Sequence, residues 1–463
     1  MNRITRRNML LGSAGVGLVG ALPVGRALAQ ASDLPLPQGS PEKLTVIHRT
    51  EYFAQAQEMF AQAVRDFAEE SGKDLDISTT IPEAYGNFLG KMTAAVRAGN
   101  PPDIAYTSQI SIPQMHVLGL LEDVSDVVEE AERRYGAILP GLSAKERAYF
   151  DGGWRAVPFI ANMNGTFMRG DKLEEAGIDP KSLKTWDDYR EAALAISDPD
   201  NGFWGWGISP NQGGDGFNFC VFIMHAFGGS FTDESGMVVT FNSPETVQAM
   251  EWIAETFDRD GKYGPMLPPG IESWTDAGNN EAYLAGSTGF THNAFSVYAA
   301  AKRDNNPVFE KTVVVPVPST NDGTPRDEPT VGGWLTIFKG APNADLAKQL
   351  ALHLLDPAVF NPIVEISGGL FLPAYEDLWT EDLIALDPNF ASLREIFEVT
   401  PKIPNYYYPA QPNAAIDAIR AQTTMEQVVA NIISGRMTPE EAVEDGHRKM
   451  VNIFEEGGIM QPN

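Results

Sequence analysis

Residues 44–106 run LTVIHRTEYFAQAQEMFAQAVRDFAEESGKDLDISTTIPEAYGNFLGKMTAAVRAGNPPDIAY. Leu44-Thr45-Val46-Ile47-His48 is a short apolar run of strand length. Met59, Phe60, Ala63, Val64 and Phe67 then recur at helical spacing. Leu75 and Ile77 alternate in a second strand, and Phe88, Leu89, Met92, Ala95 and Val96 form a second helical stripe closed by Gly99. Asp103-Ile104-Ala105-Tyr106 is a third short strand. Strand–helix–strand–helix–strand with short joins predicts an α/β fold, a parallel sheet covered by helices.

Capping signals extend the pattern outward. Thr185 with Asp188 fits a capping box, Ser243-Pro244 sets a cap before a first-turn proline, and Thr438-Pro439-Glu440-Glu441 combines both devices. Strands are expected at Ala156–Ile160, Thr312–Val317 and Leu335–Phe338, with turns at Asp198–Gly202 and Ser319–Pro329.

At 463 residues the chain is long enough for two or three domains. Hydrophobic residues at 43% and charged ones at 21% exclude a mostly disordered chain. The formal net charge of −28 makes nucleic acid and anionic membranes unfavourable partners. The single cysteine, Cys220, excludes an internal disulfide or thiolate cluster.

Residues 1–29 carry Arg3, Arg6, Arg7 and Arg26 and no acid; Ala27-Leu28-Ala29 supplies small residues for cleavage. This reads as a signal peptide of the twin-arginine type. Its apolar run contains Gly12, Gly15, Gly17, Gly20 and Pro23, too short and glycine-rich for a spanning helix. Cleavage takes the net charge from −28 to −32 and leaves a soluble, monomeric, periplasmic chain beginning near Gln30, with 30–40 as a loose leader. Gly15-Val16-Gly17-Leu18-Val19-Gly20 matches a dinucleotide fingerprint, but in this segment it lacks the strand and helix that chemistry needs.

Catalytic signatures are sparse. The six histidines show no metal-ligand spacing, and neither a nucleophile elbow nor a phosphate-cradling loop occurs. No cofactor or metal is expected. In an open parallel sheet, ligands bind beyond the C-terminal strand ends. Those ends deliver Arg49–Phe53 with Tyr52, Pro82–Tyr85, and Thr107-Ser108-Gln109. Aromatic faces beside polar groups suit a sugar ring. Further aromatics stand beside glycines, as in Phe203-Trp204-Gly205-Trp206 and Gly332-Gly333-Trp334, or in loops, as with Trp274 and Tyr406-Tyr407-Tyr408.

Five stretches, in order, carry a resemblance: GKMTAAVRAGNPPDIAYTSQISIPQMHVLGLLEDVSDVVEE (90–130), GGWRAVPFIANMNGTFMRGDKLEEAGID (152–179), KTWDDYREAALAI (184–196), NNEAYLAGSTGFTHNAF (279–295) and VGGWLTIFKGAPNADLAKQLALHLL (331–355). Together they resemble the family 1 extracellular solute-binding proteins of ABC importers, the group that includes maltose-binding protein. The resemblance implies two α/β lobes joined by crossing hinge strands, with lobe one at 41–158 and 331–374 and lobe two at 159–330 and 375–463. It implies a sugar or oligosaccharide held between them by hinge closure and delivered to permease subunits in the inner membrane. Tyr52, Tyr85, Gln109 and Asn162 would contact the ligand, as would Trp274, Asn293, Phe295 and Trp334. Phe167-Met168-Arg169 replaces the usual Tyr-Tyr-Asn, and Phe295 stands where a tryptophan is common. Two alternatives remain: an exported polysaccharide-acting enzyme with Glu83 and Glu272 as its carboxylates, or a binding protein for a polyamine or phosphorylated polyol.

Overall fold

Three parallel strands begin the architecture: β1 (Lys43–Arg49), β2 (Asp74–Thr80) and β3 (Ile104–Thr107), with β1 in the middle. The computed structural model describes residues 37–462 except 52, 81–84, 108–110, 211–212, 316, 325–328, 388, 400–401 and 404; at 79–80, 85–87, 107, 329 and 392 it describes backbone alone. The signal segment, Tyr52, Glu83 and Gln109 therefore lie outside the described residues. Helices Ala54–Glu70 and Tyr85–Ala98 join the strands, and the second ends at Gly99 with φ of 76°. Phe60 and Val64 of the first helix are buried, as their spacing requires.

A small hairpin, β4 (Tyr149–Phe150) with β5 (Gly153–Trp154), precedes the long strand β6 (Val157–Arg169). β7 (Trp204–Trp206), β8 (Thr288–Ala294), β9 (Thr312–Val315), β10 (Pro329–Ile337) and the short β11 (Leu372–Pro373) complete the set. The sheet order is β2-β1-β3-β10-β6-β8-β7, with β9 and β11 also on β6. The expected parallel pairing holds within β1–β3 and between β7 and β8, whereas β10 and β6 run antiparallel to their neighbours, so the sheet is mixed.

β6 is the crossover. Val157–Met163 pairs with β10, and Asn164–Arg169 pairs with β8 and β9. One continuous strand thus serves two packed regions. The first core gathers Leu44, Ile104, Phe159, Trp334 and Leu350; the second gathers Trp186, Trp206, Phe219, Trp252 and Phe454. Tyr298 and the run from Tyr375 to Phe397 also pack in the first core.

Local signals behave as expected. Thr185/Asp188 and Thr438/Glu441 form reciprocal capping boxes on helices Trp186–Ala195 and Pro439–Glu456. Ser243 accepts from Thr246 N at the start of helix Pro244–Phe257. Asp103, fully buried, accepts from Thr45 N at 2.8 Å and from Asn343 N at 2.8 Å. A carboxylate saturated by donors fastens β1 and the residues after β10 together.

Candidate functional site

Helix Ala414–Ala421 begins at Asn413, whose side chain accepts from Ala415 N and Ile416 N. Ile416 and Ile419 point into the second core, which leaves Asp417 and Arg420, three residues apart, on a neighbouring face. The preceding loop lays Tyr406 and Tyr407 together, ring centroids 4.1 Å apart and 27° between planes. Their hydroxyls, 2.7 Å apart, both use Asp417 Oδ1 as acceptor. The Arg420 guanidinium lies over Phe217 at 4.9 Å and over Tyr406 at 5.1 Å.

The opposing wall comes from the first core. Ser111 caps helix Ile112–Val117 by accepting from Gln114 N, and its own hydroxyl donates to Asp417 Oδ2. Gln114 Nε2 donates to Ala414 O at 3.2 Å. Arg147, on helix Ala144–Ala148, donates from Nη1 to Thr330 Oγ1 at 2.6 Å, with its guanidinium 5.8 Å from the Trp334 ring centroid. Thr330 stands opposite Asn162 in the β10–β6 register. A Cβ on Gly332 would fall 2.3 Å from Asn162 Nδ2, so the Asn162 side chain lies directly on the glycine backbone.

Burial pushes the Asp417 carboxyl above its ordinary range, against the pull of Ser111, Tyr406, Tyr407 and the Arg147 charge. Burial likewise raises Tyr406 and Tyr407, reinforced by the Asp417 charge. For Arg420, burial opposes the charge, but Tyr406, Tyr407 and Asp417 outweigh it and raise the group.

A second polar cluster surrounds the start of helix Gly214–Ala226. Asp276 accepts from Gly214 N at 2.9 Å and Asp215 N at 3.3 Å, capping helix Gly214–Ala226. Asp215 Oδ2 accepts from Asn279 Nδ2 at 2.9 Å and Asn293 Nδ2 at 3.1 Å. Asn293 also donates to Asn280 and accepts from Ser296 Oγ. Burial, aided by the Asp276 charge, drives the Asp215 carboxyl far up. Glu426, on helix Thr424–Ile433, is raised to about 7 by burial and the Asp276 charge, with Arg420 opposing.

Of the residues singled out by resemblance, Asn162 lies against Gly332 and opposite Thr330, while Trp334, opposite Pro158, lies beside Arg147. Trp334 is 1% exposed. Asn293 is bonded within the Asp215 cluster, and Phe295 packs edge-on against Phe167 at 5.4 Å in the first core. Trp274 is half-buried against the second core, and Tyr85 starts helix Tyr85–Ala98. Glu272 is paired with Arg259 at 2.8 Å. Sequence reading missed Ser111, Arg147, Asp417 and Arg420. The Asp417/Arg420 spacing beside Ile416/Ile419 on an otherwise apolar helix was the available signal.

A family profile described as "Bacterial extracellular solute-binding protein" matches residues 62–392. The mannitol-binding protein of Pseudomonas aeruginosa is 28% identical over 210 residues, 44% of this chain and 45% of that protein, so the match spans under half of the relative. Among solved structures, the solute-binding protein of Thermotoga lettingae bound with α-D-tagatose superimposes with a TM-score of 0.73 at 21% identity, covering 89% of this chain and 100% of that one. The solute-binding protein of Agrobacterium radiobacter in complex with ribitol gives 0.73 at 17% identity, covering 88% and 98%. Both likenesses are of fold: two lobes of mixed α/β structure.

Proposed function

The chain belongs to the bacterial extracellular solute-binding proteins, and on that premise we propose that it captures a neutral sugar or sugar alcohol between its lobes for an ABC importer. Capture by hinge closure would act through β6 and β10, each lobe built around one of the two cores, with 375–397 on the side of the first. The observation that carries this reading is the meeting of two walls at Asp417: Ser111 and the Arg147 charge reach it from the first core, stacked Tyr406 and Tyr407 with Arg420 from the second. Aromatic faces meet the C–H faces of a polyol, and guanidinium groups meet its hydroxyls.

Charge favours a neutral solute. Asp417 lies within electrostatic reach of both Arg147 and Arg420, and Glu426 adds a second carboxyl near Arg420. Among the described residues of this cluster the cations are matched by carboxyls: Asp417 feels Arg147 and Arg420, and Glu426 feels Arg420, so a phosphate or a polyamine would have to displace one of them. The mannitol-binding relative and the ribitol- and tagatose-bound neighbours agree with small polyhydroxylated ligands. The enzymatic alternative loses support because Glu272 is committed to Arg259. Export would follow cleavage after Ala29 by the twin-arginine route, placing the protein in the periplasm beside its permease.

A thermal-shift screen tests the proposal. A solute at about 100 times its dissociation constant adds about 2.7 kcal/mol. Hexitols, pentitols, ketohexoses and maltose form one arm; a polyamine and glycerol phosphate form the other. Saturable binding confined to the second arm overturns the reading. Turnover of an oligosaccharide to shorter products would establish the enzyme instead.

A further inference from the structure

We propose that Ser111, Gln114 and Asp417 form a clasp that holds the two lobes together by direct protein–protein hydrogen bonds, before any solute contributes. The proposal rests on the two-lobe reading above and adds a device to it. Asp417 has three hydroxyl neighbours, and two of them, Tyr406 and Tyr407, belong to its own side of the cleft. The third, Ser111, comes from the other side, at the head of a helix whose Ile112 and Met115 are buried in the first core. Opening the cleft breaks that bond and leaves the tyrosine pair in place.

A second bond follows the same path one helical turn on. Gln114 Nε2 donates to Ala414 O, at the first residue of the helix that carries Asp417. Two parallel bonds between helices anchored in different cores define a register for closure. A floppy contact would not need both. The carboxylate is also preorganised: with Oδ1 held by the tyrosines, Oδ2 is turned towards the serine, so little orientation is lost when the bond forms.

The clasp differs in its consequences from a ligand contact. A ligand contact changes which solute binds. A clasp changes how often the unliganded protein is closed, and so shifts the affinity for every solute by a similar factor. A hydrogen bond to a charged group of this kind is lost at a cost equivalent to about tenfold or more in the closed-to-open ratio.

The test uses the mature chain without solute. Spin labels at Val117→Cys and Met237→Cys, both exposed and on opposite sides of the cleft, report lobe separation; Cys220 is buried and does not compete for label. The parent should give a short, narrow distance distribution. Ser111→Ala and Gln114→Ala, singly and together, should shift it to longer and broader distances, while Ser111→Thr, which keeps both hydroxyl and helix cap, should restore the parent distribution. Thermal melts of each variant separate opening from unfolding. A distribution unchanged in the double variant overturns the clasp. Absence of any response of the parent to D-mannitol, ribitol or maltose counts against the proposed function and leaves the distance result standing.

Discussion

Glu426→Gln should make the protein more stable at alkaline pH. The side chain is 3% exposed, and its Oε2 has no hydrogen-bond partner among the described residues. Burial, with Asp276 nearby, lifts its carboxyl from 4.5 to about 7. A folded-state value above the unfolded one means that the native chain binds the proton more tightly. The contribution is therefore full below about pH 4.5 and is lost as pH rises through about 7. A shift of this size corresponds to roughly 3 kcal/mol, at 1.36 kcal/mol per unit. The glutamine amide keeps the shape and never ionises, so its stability should stay flat through that window. Urea melts of both proteins at pH 5, 6, 7, 8 and 9 read the difference directly. The curves should coincide near pH 5 and separate by up to about 3 kcal/mol at pH 9. Two curves that stay parallel, or a glutamine variant that is the weaker at pH 9, would show that Glu426 is already hydrated or paired when ionised.

Three further outcomes are expected. Trp334→Ala should cost about 3–5 kcal/mol of stability in chemical denaturation, because the ring is almost wholly enclosed; lost affinity with an unchanged melt would instead make the ring a ligand platform. Asp171→Ala should cost about 1–3 kcal/mol at pH 7 by stranding the buried Arg169 guanidinium, which Asp171 holds at 2.6 and 2.7 Å. Burial alone would raise Asp171, but Arg169 overrides it and lowers the group, so this advantage exists above the ordinary carboxylate value and fades as acid protonates Asp171; melts from pH 7 to 3 follow it. Replacing Arg6 and Arg7 with lysine should stop export in a fractionation assay, and undiminished export that instead requires the general secretory route would refute a twin-arginine signal.

What could be read from the chain was what local chemistry decides. Thr185/Asp188 and Thr438/Glu441 announce their helices because donor and acceptor sit within one turn. β6 was visible only as Ala156–Ile160, since Asn162-Met163-Asn164-Gly165-Thr166 lacks an apolar alternation; pairing with β10, β8 and β9 holds it extended regardless. Trp204-Gly205-Trp206 stands out in the sequence only as aromatics beside a glycine. It is strand β7, and Gly205 is needed there because a Cβ would lie 1.8 Å from Ala193 O. At the cleft, the tyrosine run at 406–408 was conspicuous, but Asp417 was hidden among 62 acidic residues. Its importance arises from Ser111, some three hundred positions earlier, and no spacing rule connects the two. Asn293 illustrates the reverse: a conspicuous polar residue whose bonds are taken up by Asp215, Asn280 and Ser296.

The crossover strand has a consequence for how such a chain comes into being. The first core draws residues from Leu44 to Phe397 and the second from Met168 to Phe454. When a ribosome has released half of the polypeptide, neither interior can be closed. The decisive contacts span hundreds of positions, which raises contact order and slows folding. Cutting the gene at any crossover should yield two incomplete interiors and no autonomous fragment. The smallest piece that can fold is nearly the whole translation product, so a nascent chain spends its synthesis exposed to chaperones and proteases.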